Sequence, residues 1–207
     1  MVRIIAGARK GRILVAPAGA TTRPTADRVR QALFDMLLHA PWGGASVLTG
    51  AHVLDAFAGT GALGLEALSR GAASASFFET DRAALAALRS NIAGCGWKET
   101  CTVLPRDVTK PPRARTACSL IFIDPPYRQG LPARTLAALA AQGWVADGAL
   151  AVIETAADEA LPLADLSNPG PMAPDSVDGE PVPPPAYAGV LLAERKHGAA
   201  RLSVWRL

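Results

Sequence analysis

Asp124-Pro125-Pro126-Tyr127 has the residue types for one narrow kind of chemistry, and it follows the apolar run Leu120-Ile121-Phe122-Ile123. The run reads as a buried strand, and two prolines forbid its continuation, so the acid is placed at a strand's C-terminal edge. An Asp accepts from an N–H, a stiff Pro-Pro backbone presents carbonyls that nothing local satisfies, and Tyr offers a flat face for stacking. Together they make a clamp for a planar group with an exocyclic amine. A tight turn after a core strand would use the same residues, so the upstream chain has to decide.

The second informative stretch runs from Val53-Leu54-Asp55-Ala56-Phe57 through a glycine turn, Gly59, Gly61 and Gly64, into an apolar helix. The glycines match GxGxxG, which lets backbone approach a ligand at a helix N-terminus. Asp55 argues against a pyrophosphate, because a carboxylate four residues before Gly59 would repel it. An acid beside a glycine turn suits a cationic ligand, such as the amino and sulfonium groups of S-adenosylmethionine. Glu79 ends the next strand, about 20 residues on, where a bidentate acceptor holds ribose hydroxyls. Asp107, just past a third strand end, is placed either to accept from an adenine amine or to cap a turn. Asp81 reads as the cap of a following helix.

The elements that must position these groups alternate. Strands are expected at 52–57, 74–79, 101–104, 119–124 and 149–154, with helices at 26–39, 81–92 and 131–142, which predicts an α/β fold with a parallel doubly wound sheet. Thr25 is expected to cap the first helix, and two short strands within 3–16 flank a basic turn. Residues 190–194 and 201–205 predict a terminal hairpin, with His197 in its turn. Residues 156–189 hold eight of the 17 prolines, six acids and no base; they predict a mobile linker or lid.

The chain has 207 residues, half of them apolar, enough for one well-packed domain. Three cysteines outside any CxxC pair and three histidines give neither a disulfide framework nor a metal site. The start is too quickly polar for a signal peptide, and no run approaches a membrane span, so the expectation is a cytoplasmic protein. The net charge of +3 is uneven. Arg3, Arg9, Lys10, Arg12, Arg23, Arg28 and Arg30 face Asp27 alone in the first 30 residues, a basic arm of +6 on a body of −3. Such an arm predicts a polyanionic partner, and arginine suits phosphate and base edges.

Asp55, the glycine turn, Glu79, Asp107 and the Asp124–Tyr127 clamp, in this order, resemble class I S-adenosylmethionine-dependent methyltransferases. Arg3-Ile4-Ile5-Ala6-Gly7, Arg23-Pro24-Thr25 with Asp27-Arg28-Val29-Arg30, Leu33-Phe34 and the block from Phe57 to Gly71 resemble, more narrowly, the RsmD family of bacterial 16S rRNA (guanine-N2)-methyltransferases. The similarity covers residues 3 to about 155 and the last 18 residues; the long Pro-rich acidic segment departs from the pattern. The resemblance implies a Rossmann-like, mostly parallel seven-stranded sheet with a C-terminal antiparallel hairpin. It also implies methyl transfer from S-adenosylmethionine to a guanine N2 in the small ribosomal subunit. Residues 1–50 would be an RNA-binding extension and 51–207 the methyltransferase domain of a monomer. Asp124, Pro125, Pro126 and Tyr127 would be catalytic, and Asp55, Phe57, Gly59, Gly61, Glu79 and Asp107 would hold the cofactor. A DNA or other RNA amino-methyltransferase would use a similar clamp. A nicotinamide oxidoreductase leaves Asp55 and the clamp unexplained, and a non-catalytic binding module would need no clamp.

Overall fold

The computed structural model describes residues 2–17, 24–166 and 188–207. A two-stranded antiparallel ribbon, β1 (Val2–Arg3) and β2 (Ile13–Leu14), precedes helix α1 (Pro24–His39). The chain then alternates through β3 (His52–Asp55), α2 (Ala62–Ser69), β4 (Ser74–Phe78), α3 (Arg82–Cys95), β5 (Cys101–Leu104), β6 (Cys118–Ile123), α4 (Leu131–Ala141) and β7 (Val145–Ala156). It closes with β8 (Ala164–Asp165), β9 (Ala188–His197) and β10 (Ala200–Arg206). The main sheet has the order β5-β4-β3-β6-β7-β10-β9-β8. Strands β3 to β7 are parallel, and β10 is antiparallel to both β7 and β9. The expected seven strands are present, and β8 adds a two-residue eighth at the edge.

Alternation along each strand sorts the core into two layers. Leu120, Phe122, Leu150, Val152, Leu202 and Val204 face α1, α2 and α3, where Phe34, Leu37, Leu65, Leu68, Leu88 and Ile92 pack. Leu54, Ile121, Ile123, Ala151, Ile153 and Trp205 face α4, with Leu136, Leu139 and Trp144. The N-terminal segment belongs to the first layer, since Ile4, Leu14, Leu33 and Phe34 are all buried in it.

Two polar nodes fasten that segment. The Glu66 carboxylate on α2 is fully buried and accepts from the backbone of Ile5 (2.7 Å) and Ala6 (3.1 Å) and from Arg70 Nε (2.7 Å). Arg30 Nε approaches it at 4.0 Å. On α3, Asn91 Oδ1 accepts from Val15 N (2.7 Å), while its Nδ2 donates to the carbonyls of Val15 and Thr60, both at 3.0 Å. That amide joins the end of β2 to the glycine turn.

Three expectations shift. Helix α1 starts at Pro24, which the fixed φ of proline favours at a first helical position, so Thr25 lies inside the helix rather than capping it. Strand β7 runs from Val145 to Ala156, longer than 149–154, because β10 pairs with it as far as Ala156 and Cys118 of β6 pairs with Val145. The start of the Pro-rich stretch is folded: Leu163 is buried, Glu159 Oε2 accepts from Ala156 N, and Arg201 donates to the carbonyls of Glu159 and Ala160. Residues 167–187 lie outside the described residues, as does Arg23.

Candidate active site

The acids singled out in the sequence stand at the C-terminal ends of β3, β4, β5 and β6, where open α/β sheets bind ligands. Asp55, the last residue of β3, is buried, and its Oδ2 accepts from Gly64 N at 3.1 Å. Burial pushes its carboxyl up to about 7; the Gly64 bond works against that and the nearby Glu79 charge adds to it. Glu79 follows β4. Its Oε2 accepts from Gly59 N (2.8 Å), and its Oε1 accepts from Thr80 N (2.6 Å) and Asp81 N (2.7 Å).

The turn between them depends on its glycines. Gly61 has φ +81°, in the left-handed region that side chains disfavour, and it immediately precedes α2. At Gly64 a Cβ would meet the Phe77 ring at 2.4 Å, so a hydrogen there lets α2 rest on β4. Phe57 is half-buried beside the turn.

Asp107 is exposed, and its Oδ1 accepts from the N–H and hydroxyl of Thr109, both at 2.8 Å. Those bonds hold its carboxyl below the usual range. Asp81 caps α3 by accepting from Ala84 N at 2.8 Å.

Asp124 follows β6 and is solvent-accessible through a cavity of about 430 Å³. Its carboxylate accepts no hydrogen bond among the described residues. Its recessed position raises its carboxyl first, and the charges of Glu154 and Asp55 raise it further; open contact with solvent tempers the desolvation but not the direction. Pro125 is buried and Pro126 exposed. Tyr127 is 39% exposed, and its hydroxyl donates to Glu154 Oε1 at 2.5 Å. Burial and that bond push the phenol above its usual range. The cavity's other walls are mainly apolar, including Val29, Leu33, Leu63, Val152 and Leu202, with Arg30 and His197 at its edge.

The basic arm divides. Arg3, Lys10 and Arg28 line a groove of about 450 Å³ between the N-terminal ribbon and α1. Arg9 donates from Nε to the Cys95 carbonyl at the end of α3 (2.8 Å) and lies over Trp97, and Arg12 lies against Gly94. Arg30 is buried, pairs with Asp27 at 3.1 Å and donates to the Arg3 carbonyl.

The family model described as Conserved hypothetical protein 95 matches residues 2–167. Ribosomal RNA small subunit methyltransferase D of Escherichia coli K12 is 41% identical over 161 residues, covering 78% of each chain. The chain belongs to this family, the RsmD methyltransferases. The Haemophilus influenzae protein of the same name is 34% identical, covering 77% of this chain and 81% of that one. Among solved structures, the Escherichia coli protein yhhF, assigned as a methyltransferase, matches with a TM-score of 0.74 at 35% identity, over 99% of this chain and 97% of that one.

In this RsmD-family chain the structure adds one acid that the sequence reading passed over. Glu154 lies two residues inside the end of β7, and its place beside Asp124 comes from the pairing of β6 with β7, which no local turn signal announces. His197, expected in the hairpin turn, is the last residue of β9 and reaches the cavity wall. No helix among the described residues is long and apolar enough to cross a membrane.

Proposed function

We propose that this enzyme transfers a methyl group from S-adenosylmethionine to the exocyclic N2 of a guanine in 16S rRNA of the small ribosomal subunit. The observation that carries the reading is Asp124, an acceptor with no partner among the described residues at the wall of a mainly apolar cavity, beside a second, closed cluster of acids suited to a cationic cofactor. Family membership and the names of the relatives support the substrate class.

The donor set fits the cofactor. Asp55 is a buried carboxylate facing another acid, an arrangement that favours a cationic group beside it. Glu79 offers a bidentate acceptor for ribose hydroxyls, and Asp107 retains Oδ2 for an amine. Gly59, Gly61 and Phe57 shape the turn. When bound, the cofactor supplies an electrophilic methyl on a sulfonium.

The chain's residues then act on the base. Tyr127 stacks on an unstacked guanine. Asp124 and the Pro125 carbonyl accept from the 2-amino group and fix the direction of its lone pair. Asp124 also stabilises positive charge as it develops on that nitrogen and is placed to take the proton released. Residues 1–50 serve as the RNA-binding part and 51–207 as the methyltransferase part. Arg3, Lys10 and Arg28 are exposed along one groove and offer themselves to phosphate. Arg9, Arg12 and Arg30 contribute through the arm they hold in place, and Arg23 completes the basic set. The protein works as a cytoplasmic monomer on the ribosomal subunit.

The test is transfer from labelled S-adenosylmethionine to small subunits from cells lacking this protein, against matched wild-type subunits, naked rRNA and duplex DNA. Label recovered as N2-methylguanine in the unmodified subunits alone is the expected result. Label in DNA would favour the broader amino-methyltransferase reading, and no label despite cofactor binding would sink the rRNA assignment.

A further inference from the structure

Strands β6 and β7 run parallel in register up to Ile123 and Ile153. One residue further, each strand presents an acid, Asp124 on one and Glu154 on the other. The two-residue alternation puts both on the face of Phe122 and Val152, and both line the same cavity. Tyr127 occupies Glu154 Oε1 with its hydroxyl, and Oε2 accepts nothing among the described residues. Arg30, the one arginine lining the cavity among the described residues, is engaged by Asp27 and the Arg3 carbonyl and lies 4.0 Å from Glu66. The cavity therefore offers two neighbouring acceptors with free capacity between apolar walls.

That pattern selects among bases. The Watson–Crick edge of guanine carries two adjacent donor groups, N1–H and the 2-amino group. Adenine and cytosine each place a bare ring nitrogen on that edge, whose lone pair a carboxylate repels. We propose that Glu154 is a base-reading residue: its Oε2 accepts the N1–H of the target guanine while Asp124 accepts from the 2-amino group. The inference rests on the guanine-N2 reading and adds the group that excludes other bases.

2-Aminopurine separates the two halves of this edge, because it keeps the 2-amino group and carries a lone pair in place of N1–H. Small subunits are assembled from unmodified 16S rRNA with guanine or 2-aminopurine at the position mapped by the labelling experiment. Initial rates are then compared for wild type, Glu154→Gln and Tyr127→Phe, each first checked for cofactor affinity by calorimetry as evidence of folding. Wild type should prefer guanine by about 100-fold or more, the scale on which hydrogen-bonding sites reject analogues lacking a donor. Glu154→Gln, whose amide can donate to the bare nitrogen, should cut that preference at least tenfold, about the worth of one base-edge contact. Tyr127→Phe should slow both substrates alike and leave the ratio.

An unchanged ratio in Glu154→Gln, with wild type active on guanine, overturns the base-reading role and leaves the proposed function standing. Equal losses in Glu154→Gln and Tyr127→Phe on both substrates would likewise reduce Glu154 to a support for Tyr127. A wild-type enzyme that binds cofactor and leaves guanine subunits unlabelled overturns both readings together.

Discussion

An ion-pair cluster around one carboxylate and a cluster of several carboxylates meet opposite fates in this fold. Glu66 is fully buried and accepts from two backbone N–H groups and from Arg70 at 2.7 Å, with the Arg30 charge at 4.0 Å. Asp55 has Glu79 for a charged neighbour and Asp124 has Glu154 and Asp55, and burial together with these like charges drives the carboxyls of Asp55 and Asp124 toward neutrality. The first cluster is complete without a ligand and fastens the N-terminus to the body. The second is incomplete without one, and surplus negative charge at a cavity wall marks it as the place where chemistry happens.

The difference can be broken at either end. The largest effect is expected from Glu66→Ala, which leaves Arg70 buried without its acid and orphans the Ile5 and Ala6 N–H groups, and should cost about 3–5 kcal/mol in urea denaturation. A loss near zero would mean the node is not what holds the arm. Asp124→Ala should leave the fold and cofactor affinity within about twofold while kcat falls on the order of 10²–10³-fold, the scale for removing one positioned electrostatic group. Near-normal turnover would remove Asp124 from the mechanism.

Acidity sharpens the contrast next. The folded Asp55 carboxyl is raised from 3.8 to about 7, so its favourable contribution to the unliganded fold is complete below pH 3.8 and lost as pH rises through 7. A cationic cofactor should restore it by ionising the acid. Calorimetric affinity should therefore improve up to about tenfold per pH unit below 7 and level off above it. Asp55→Asn should flatten the profile, and a slope that survives in that variant would assign it elsewhere. The smallest effect is expected at Asn91, a neutral node. Asn91→Ala should cost about 1–3 kcal/mol through the partners it orphans, together with a weaker cofactor affinity read by calorimetry. Unchanged affinity would show that the glycine turn does not need the tie.

Much of the edge was legible because strand ends announce themselves. The prolines after Asp124 stop β6 at a fixed point with the acid beside the stop, whereas β3 ends at Asp55, two residues before the expected Phe57. Helix α3 was similarly readable, since Asp81 caps it as its position implied. What stayed hidden depends on partners distant in sequence. Glu66 lies within a recognisable helix, and nothing local says that its donors come from Ile5 and Ala6, about 60 residues earlier. Arg30 counts as a basic-arm residue by charge alone, and only packing shows that its guanidinium is turned inward. Strand β7 outgrew its apolar run because pairing with β10 extends it over Thr155 and Ala156. Glu154 went unremarked for want of a following turn signal.

The Asn91 amide also bears on the order in which the chain acquires its parts. Its bonds reach back 76 residues to Val15 and 31 to Thr60. The glycine turn therefore cannot settle until a nascent chain has released its third helix and folded its own beginning back onto it, and such distant closures come late. Refolding followed by helical signal and by cofactor fluorescence quenching should show the second lagging the first, with Asn91→Ala removing the lag.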